Sequence, residues 1–237
     1  MLRTVLVAAM LIAVFQTASA SAATFLFIRH AESTSNVGRA ATIEEAIDPP
    51  LTNKGRQQAL ELASVLAEKS ITKIYVSAYQ RTGLTIAPTA DRLRLTPIID
   101  ARTNEWHFGD MSSLADMQDA SIGSIVRSWA AGNTAAKAAL PKAESLDDMA
   151  ARVLPAWTQI FDAHKDDDGV VVLVGHGAET GFVMPYFAKN VTPAFAFANG
   201  MRNTGIIEVE IMDGKPVVTK WQGIAVPAQA AVPEPAH

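Results

Sequence analysis

The run Val170-Val171-Val172-Leu173-Val174 constrains this chain more than any other feature. It is wholly apolar, almost entirely β-branched, and stops at Gly175-His176-Gly177. So short a run bounded by glycine reads as a strand. Without polar alternation it must be buried on both faces, in the middle of a sheet that helices cover on each side.

The remaining patterns fit such a sheet. Phe25-Leu26-Phe27-Ile28 and Ile71 to Val76 read as strands, and Leu93 to Ile99 as another that Pro97 confines to an edge or ends. Residues 52–69 read as a helix, with Thr52 as cap and Ala59, Leu62, Ala63 and Leu66 at helical spacing. Helical patterns also cover 78–91, about 113–131, 145–164 and 178–188, and 100–112 reads as a polar loop. Asp213-Gly214 between Ile206–Ile211 and Pro216–Trp221 is a hairpin signal. From Gln222 onward Ala and Pro dominate, and a loose tail over 222–237 is expected. The alternation predicts an α/β fold, a three-layer α/β/α arrangement with a mostly parallel central sheet, as one domain over 21–221.

Composition removes several functions. With 49% apolar and 19% charged residues, the chain is too apolar to be disordered. Its net charge of −4 argues against a nucleic-acid partner. It has no cysteine, which excludes disulfides, thiolate-held zinc, iron–sulfur clusters, thiol catalysis and a lipoprotein anchor. At the start, Arg3, the apolar run Val5 to Phe15 and the Ala18-Ser19-Ala20 ending have the three parts of a secretory signal peptide. The apolar run is shorter than the roughly 20 residues a membrane span needs. Residues 1–20 are therefore expected to be removed on export, leaving a periplasmic or secreted protein without a membrane span; the oligomeric state stays open.

In open α/β sheets ligands bind beyond the carboxyl ends of the strands. Here those ends carry Arg29-His30-Ala31-Glu32-Ser33, Ser77 with Arg81 a helical turn on, and Gly175-His176-Gly177. Two imidazoles and two guanidiniums would meet in one crevice of an acidic protein. Such a pocket suits an anion, most simply a phosphate, whose oxygens match the planar donor fork of Arg.

Taken in order, these segments resemble the histidine phosphatase superfamily, which includes the cofactor-dependent phosphoglycerate mutases. Arg29-His30-Ala31-Glu32-Ser33-Thr34-Ser35-Asn36 is similar to the family's Arg-His-Gly-Glu-Ser-x-x-Asn signature. Leu51-Thr52 through Ala59, Ser77 through Thr85, Glu105-Trp106-His107-Phe108-Gly109 and Gly175-His176-Gly177 resemble its later segments, and the likeness spans about 24–210. The resemblance implies His30 as the nucleophile that becomes phosphohistidine. Arg29, Arg81 and His176 would hold the phosphoryl oxygens, with Asn36 and Gly177 also in the substrate site. Glu105 would protonate the leaving oxygen and then help to activate water. No metal and no cofactor is called for, and the partner is a small phosphorylated substrate.

The attacking nitrogen must be unprotonated, so its ring partner needs an acceptor such as a backbone carbonyl in the 30–38 loop. Ala31 departs from the family glycine, which is tolerable if φ there is not positive. Trp106 stands where the mutases carry an Arg for a substrate carboxylate, and 37–50 does not resemble the mutase stretch. Together with export, these departures favour a phosphatase. A phosphotransferase or mutase, a phosphohistidine phosphatase acting on proteins, and a non-catalytic phosphate or phosphosugar binder are the alternatives. Trp106 is expected as a ligand wall, His107 as a possible support beside Glu105, Trp129 and Trp157 as core, His164 as a surface residue, and Asp166-Asp167-Asp168 as a solvated loop.

Overall fold

The structure, a computed structural model, describes residues 23–114, 116 and 122–228. Residues 1–20, expected from the sequence as a signal peptide, and the last part of the tail lie outside these residues. In chain order the elements are β1 (Thr24–Arg29), α1 (Ile43–Ile47), α2 (Asn53–Val65), β2 (Ile71–Val76), α3 (Gln80–Leu93), β3 (Ile98–Ile99), α4 (Ile122–Ala130), α5 (Leu146–His164), β4 (Val170–Gly175), α6 (Gly177–Phe187), α7 (Pro193–Ala198), β5 (Ile206–Met212), β6 (Lys215–Trp221) and β7 (Ile224–Ala225). Short 3₁₀ turns occupy Thr34–Val37 and Ala101–Thr103.

The strands form one seven-stranded sheet in the order β3-β2-β4-β1-β5-β6-β7. β3, β2, β4 and β1 run parallel, and β5, β6 and β7 add an antiparallel margin. β4 sits between β2 and β1, where its unbroken apolar run demands burial on both faces. Alternate residues of β1 and β4 enter different cores, because successive strand side chains point to opposite faces. Phe25, Phe27, Val171 and Leu173 join Val153, Trp157 and Phe161 of α5 and Val183 and Met184 of α6. Leu26, Ile28, Val172 and Val174 pack with Leu62 of α2 and Ile86 and Ala90 of α3. Helices thus cover both faces, giving the expected α/β class.

Two readings are corrected, and a third is met in part. The strand expected over 93–99 shrinks to Ile98–Ile99, because α3 continues to Leu93 and closes through Arg94 in the left-handed conformation (φ 55°). The tail is not loose from Gln222: Ile224–Ala225 pairs antiparallel with β6, so the sheet extends past 221. The pattern over 113–131 is helical at Ile122–Ala130, with much of its first part outside the described residues. α1 and α7 are too short for periodicity to reveal. Each starts at a threonine cap, Thr42 or Thr192, whose hydroxyl accepts from a backbone amide. Among the described residues no helix is long and apolar enough to cross a membrane.

Register places the site. Arg29 of β1 lies opposite Gly175 of β4, and Val76 of β2 opposite Val174. His30, Ser77 and His176 therefore leave the sheet side by side at the carboxyl ends of three adjacent parallel strands. The loop after β1 is held down by α2. Thr52 caps that helix and donates from its backbone N–H to the Glu32 carbonyl at 3.0 Å. A Cβ at Gly55 would lie 2.0 Å from the same carbonyl oxygen, so only glycine permits the approach.

Candidate active site

His30 is 3% exposed. Its Nδ1 lies 2.7 Å from the Ala31 carbonyl, which can only accept, so Nδ1 carries the hydrogen and Nε2 is a free base. Burial, followed by the charge of Arg81, holds the imidazole well below its ordinary pKa; the Ala31 bond opposes this and Arg29 adds to it. The turn is fixed from several sides. The backbone N–H of His30 donates to the Gly175 carbonyl at 3.0 Å, and that of Ala31 donates to Thr85 Oγ1 at 2.8 Å. Ala31 is fully buried and is not among the positive-φ residues, so no glycine is needed there.

Arg29 and Arg81 flank this ring. Arg29 donates to the Met201 carbonyl at 2.5 Å, while its buried Nε has no partner among the described residues. Arg81, in the first turn of α3, is 5% exposed; it donates to the Ile47 carbonyl at 3.2 Å and lies 4.5 Å over the Tyr79 ring. Burial lowers the pKa of both guanidiniums, against the opposing charge of Glu105. These few bonds leave most of their donors available, and buried donors without partners are costly unless a ligand completes them.

His176 is fully buried, with its ring centroid 5.3 Å from that of His30. Its Nε2 is 2.8 Å from Ser77 Oγ, and its Nδ1 is buried without a partner among the described residues. Burial, then Arg81, His30, Arg29 and Arg152, keep it neutral, well below the usual histidine pKa. A Cβ at Gly177 would meet the Arg29 guanidinium at 3.2 Å, so the glycine lets backbone and guanidinium approach.

Glu105 closes the ring of charge. Its Oε2 accepts from the backbone amides of Gly177 at 3.0 Å and Ala178 at 3.3 Å. Its Oε1 accepts from those of Glu179 and Trp106, each at 2.9 Å. The carboxylate thus occupies the positive N-terminus of α6, a place suited to an anion. Arg29, His30, Asn36, Arg81 and Glu105 line one cavity of about 290 Å³; His176 and Gly177 are outside its wall, though His176 touches its lining residues His30 and Tyr79. Asn36 turns its Oδ1 to Ser33 and Asn203, so its amide NH₂ is the end open to a ligand. Among the described residues no group of three or more His, Cys, Asp or Glu is placed to hold a metal ion.

Residues 25–223 match the profile of the histidine phosphatase superfamily, branch 1. The chain belongs to this superfamily. It is 30% identical over 158 residues to the glucosyl-3-phosphoglycerate phosphatase of Mycolicibacterium vanbaalenii, covering 64% of this chain and 68% of that protein. It is 28% identical over 201 residues to the probable phosphoglycerate mutase GpmB of an Enterobacter species, covering 82% and 87%. Among solved structures, a mycobacterial glucosyl-3-phosphoglycerate phosphatase in complex with VO3 superposes with a TM-score of 0.69 at 25% identity, covering 85% of this chain and 99% of that one. A phosphoserine phosphatase variant from Entamoeba histolytica shares the fold, with a TM-score of 0.66 at 19% identity, covering 89% and 100%.

In this superfamily member several supporting residues escape sequence reasoning. Arg152 of α5 binds Glu144 through Nε and Nη2, both at 2.6 Å, and donates to the carbonyls of Arg102 at 2.8 Å and Asn104 at 3.0 Å. Glu144 in turn accepts from the His107 amide at 3.0 Å, and its carbonyl accepts from the Trp106 indole at 2.7 Å. The pair therefore clamps the loop that carries Glu105. Asn203 donates to the His30 carbonyl at 2.9 Å. Glu179, fully buried, accepts from the His176 amide and the Thr180 hydroxyl; burial pushes its pKa up to about 8. No local pattern marks any of these.

One aromatic reading is refined and one histidine reading changes. Trp106 touches the cavity but is only 3% exposed, packed on Phe108 and Trp129 at 4.4 Å each; it is a core residue whose edge reaches the wall. Trp129 and Trp157 are core, as expected. His107 lines the cavity and lies 3.5 Å from Asp110. His164 is not a free surface residue: its Nε2 is 2.8 Å from the Tyr75 hydroxyl and its Nδ1 2.7 Å from Asp167.

Proposed function

We propose that the protein is an exported phosphomonoesterase that works through a phosphohistidine on His30. The observation that carries this reading is the Nδ1–H bond from His30 to the Ala31 carbonyl, which leaves Nε2 basic beside the buried Arg81 and the part-buried Arg29, whose Nε has no partner among the described residues. In the first step Nε2 attacks phosphorus, the P–O ester bond breaks, and Arg29, Arg81 and His176 Nδ1 hold the phosphoryl oxygens. Phosphoryl transfer depends mainly on such positioning and charge stabilisation. The ester oxygen needs a proton, and Glu105 supplies it. In the second step the carboxylate accepts a proton from water, whose oxygen attacks phosphorus, breaks the P–N bond and releases phosphate.

The test is hydrolysis of 4-nitrophenyl phosphate by residues 21–237 in EDTA, beside His30→Ala, with acid-quenched enzyme analysed for an acid-labile phosphoryl adduct. Turnover and adduct should both vanish in the variant. Turnover surviving in His30→Ala would remove the central assignment. Transfer to a second metabolite without free phosphate would indicate a mutase, and vanadate binding without turnover of any ester would indicate a binding module. Export through 1–20 is checked by cell fractionation and N-terminal sequencing, with a start at Ser21 expected.

A further inference from the structure

The cavity is larger than a phosphate and its two ends differ. Its permanently charged cations, Arg29 and Arg81, lie with His30 at the strand ends. Ile47 and Tyr79 lie against Arg81, and the wall beyond them includes Phe108, Met111 and Ile122, with His107 the only further basic side chain among the described lining residues; it lies 3.5 Å from Asp110, which also pairs with Lys142 at 2.8 Å. Arg39, on the loop before α1, is exposed and outside the lining. Residues 112–121, which lead from Met111 to Ile122, contain no Lys or Arg in sequence. Once the first phosphate has engaged Arg29 and Arg81, a second anionic group on the substrate finds no lysine or arginine in the described lining, only His107 already facing Asp110, and loses its water against apolar surface, which is unfavourable. An uncharged ring finds aromatic and aliphatic surface instead.

We infer that the site selects phosphomonoesters whose alcohol portion is uncharged and of aromatic or cyclic apolar character, and rejects esters carrying a second anion such as a carboxylate. This inference rests on the phosphatase reading above and gives it a substrate class. It also separates this chain from relatives named for phosphoglycerates, whose glycerate portion bears a carboxylate.

The experiment compares kcat/KM for phenyl phosphate, 2-naphthyl phosphate and 3-carboxyphenyl phosphate. The phenyl and 3-carboxyphenyl esters have leaving groups of nearly equal acidity, so the comparison reads binding rather than bond cleavage. Phenyl phosphate should exceed 3-carboxyphenyl phosphate by about tenfold or more, and the naphthyl ester should be at least as good as the phenyl ester. Met111→Arg, which places a cation in the apolar wall, should narrow the gap by about fivefold or more. Equal or better turnover of the carboxylated ester overturns the inference and leaves the phosphatase reading in place. Absence of turnover for all three esters, in a protein that still melts cooperatively, overturns both.

Discussion

The two ends of the cavity are built on different principles. The phosphate end is assembled from strand termini. His30 and His176 follow β1 and β4 directly, and Arg81 opens the helix after β2. Each is buried, and each is held by hydrogen bonds to backbone or to a neighbouring side chain. The rest of the wall includes Phe108 and Met111, from the stretch after Glu105, and Ile122 of α4, which meet the ligand space through apolar surface. A sheet register tolerates little displacement, so chemistry placed on strand ends is held rigidly. Walls made from loops and short helices can change residue by residue without disturbing that register. Apart from Glu105, which shares its loop with Phe108 and Met111, reaction type and substrate choice are thus carried by different parts of the chain.

The largest effect should come from breaking the rigid end. His30→Ala is expected to lower kcat by about 10³-fold or more while vanadate binding, measured by calorimetry, persists. Glu105→Gln should be selective: alkyl phosphates lose about 10²–10⁴-fold, whereas 4-nitrophenyl phosphate loses far less because its leaving group needs little protonation. Equal losses on both substrates would remove Glu105 from the proton-transfer role. Arg152→Gln tests the clamp behind Glu105. It should steepen the dependence of rate on leaving-group acidity in the same sense as Glu105→Gln, by about tenfold on alkyl esters, and cost roughly 1–3 kcal/mol in urea unfolding. A stability loss with an unchanged leaving-group dependence would mark Arg152 as structural only.

The buried acid–base groups set the pH behaviour. His30 and His176 titrate well below 6.5 when folded, so the nucleophile stays unprotonated under mildly acidic conditions. Between the folded pKa and about 6.5 the unfolded chain binds protons that the folded chain does not, so these histidines reduce stability as pH falls through that window. Glu179 acts in the opposite sense. Its carboxyl, with a folded pKa of about 8 against 4.5, is protonated in the folded protein where the unfolded chain has lost the proton. Its contribution is full below about 4.5 and is lost as pH rises toward 8. Glu179→Gln should therefore flatten the decline in Tm between pH 5 and about 8, read by calorimetry across that range. At the variable end the smallest effect is expected: Phe108→Ala should lower kcat/KM for naphthyl phosphate by about three- to tenfold and leave its kcat nearly unchanged. A drop in kcat instead would mean that this wall also orients the reacting group.

The strand and helix order was legible because periodicity is local. A fully apolar β-branched run, a threonine cap and an Asp-Gly hairpin need no distant partner to be read. The brevity of β3 and the pairing of β7 were not legible, since both depend on what a neighbouring element offers. The candidate residues His30, Arg29, Asn36, Arg81 and Glu105 stood out because they follow strands or sit in recognisable segments, and all five line one cavity.

What the sequence determined alone was the layered α/β class, the burial of Val170–Val174 at mid-sheet and the delivery of histidines and arginines to one edge of the sheet. Tertiary structure alone decided how those residues are held. Asn203 reaches the His30 carbonyl across 173 residues, and Arg152 reaches the Glu105 carbonyl across 47. It also placed Glu105 on the amides of α6 rather than in solvent. Such contacts join segments whose spacing carries no periodic signal. Their geometry is set by how the helices pack on the sheet, and packing is a property of the whole chain.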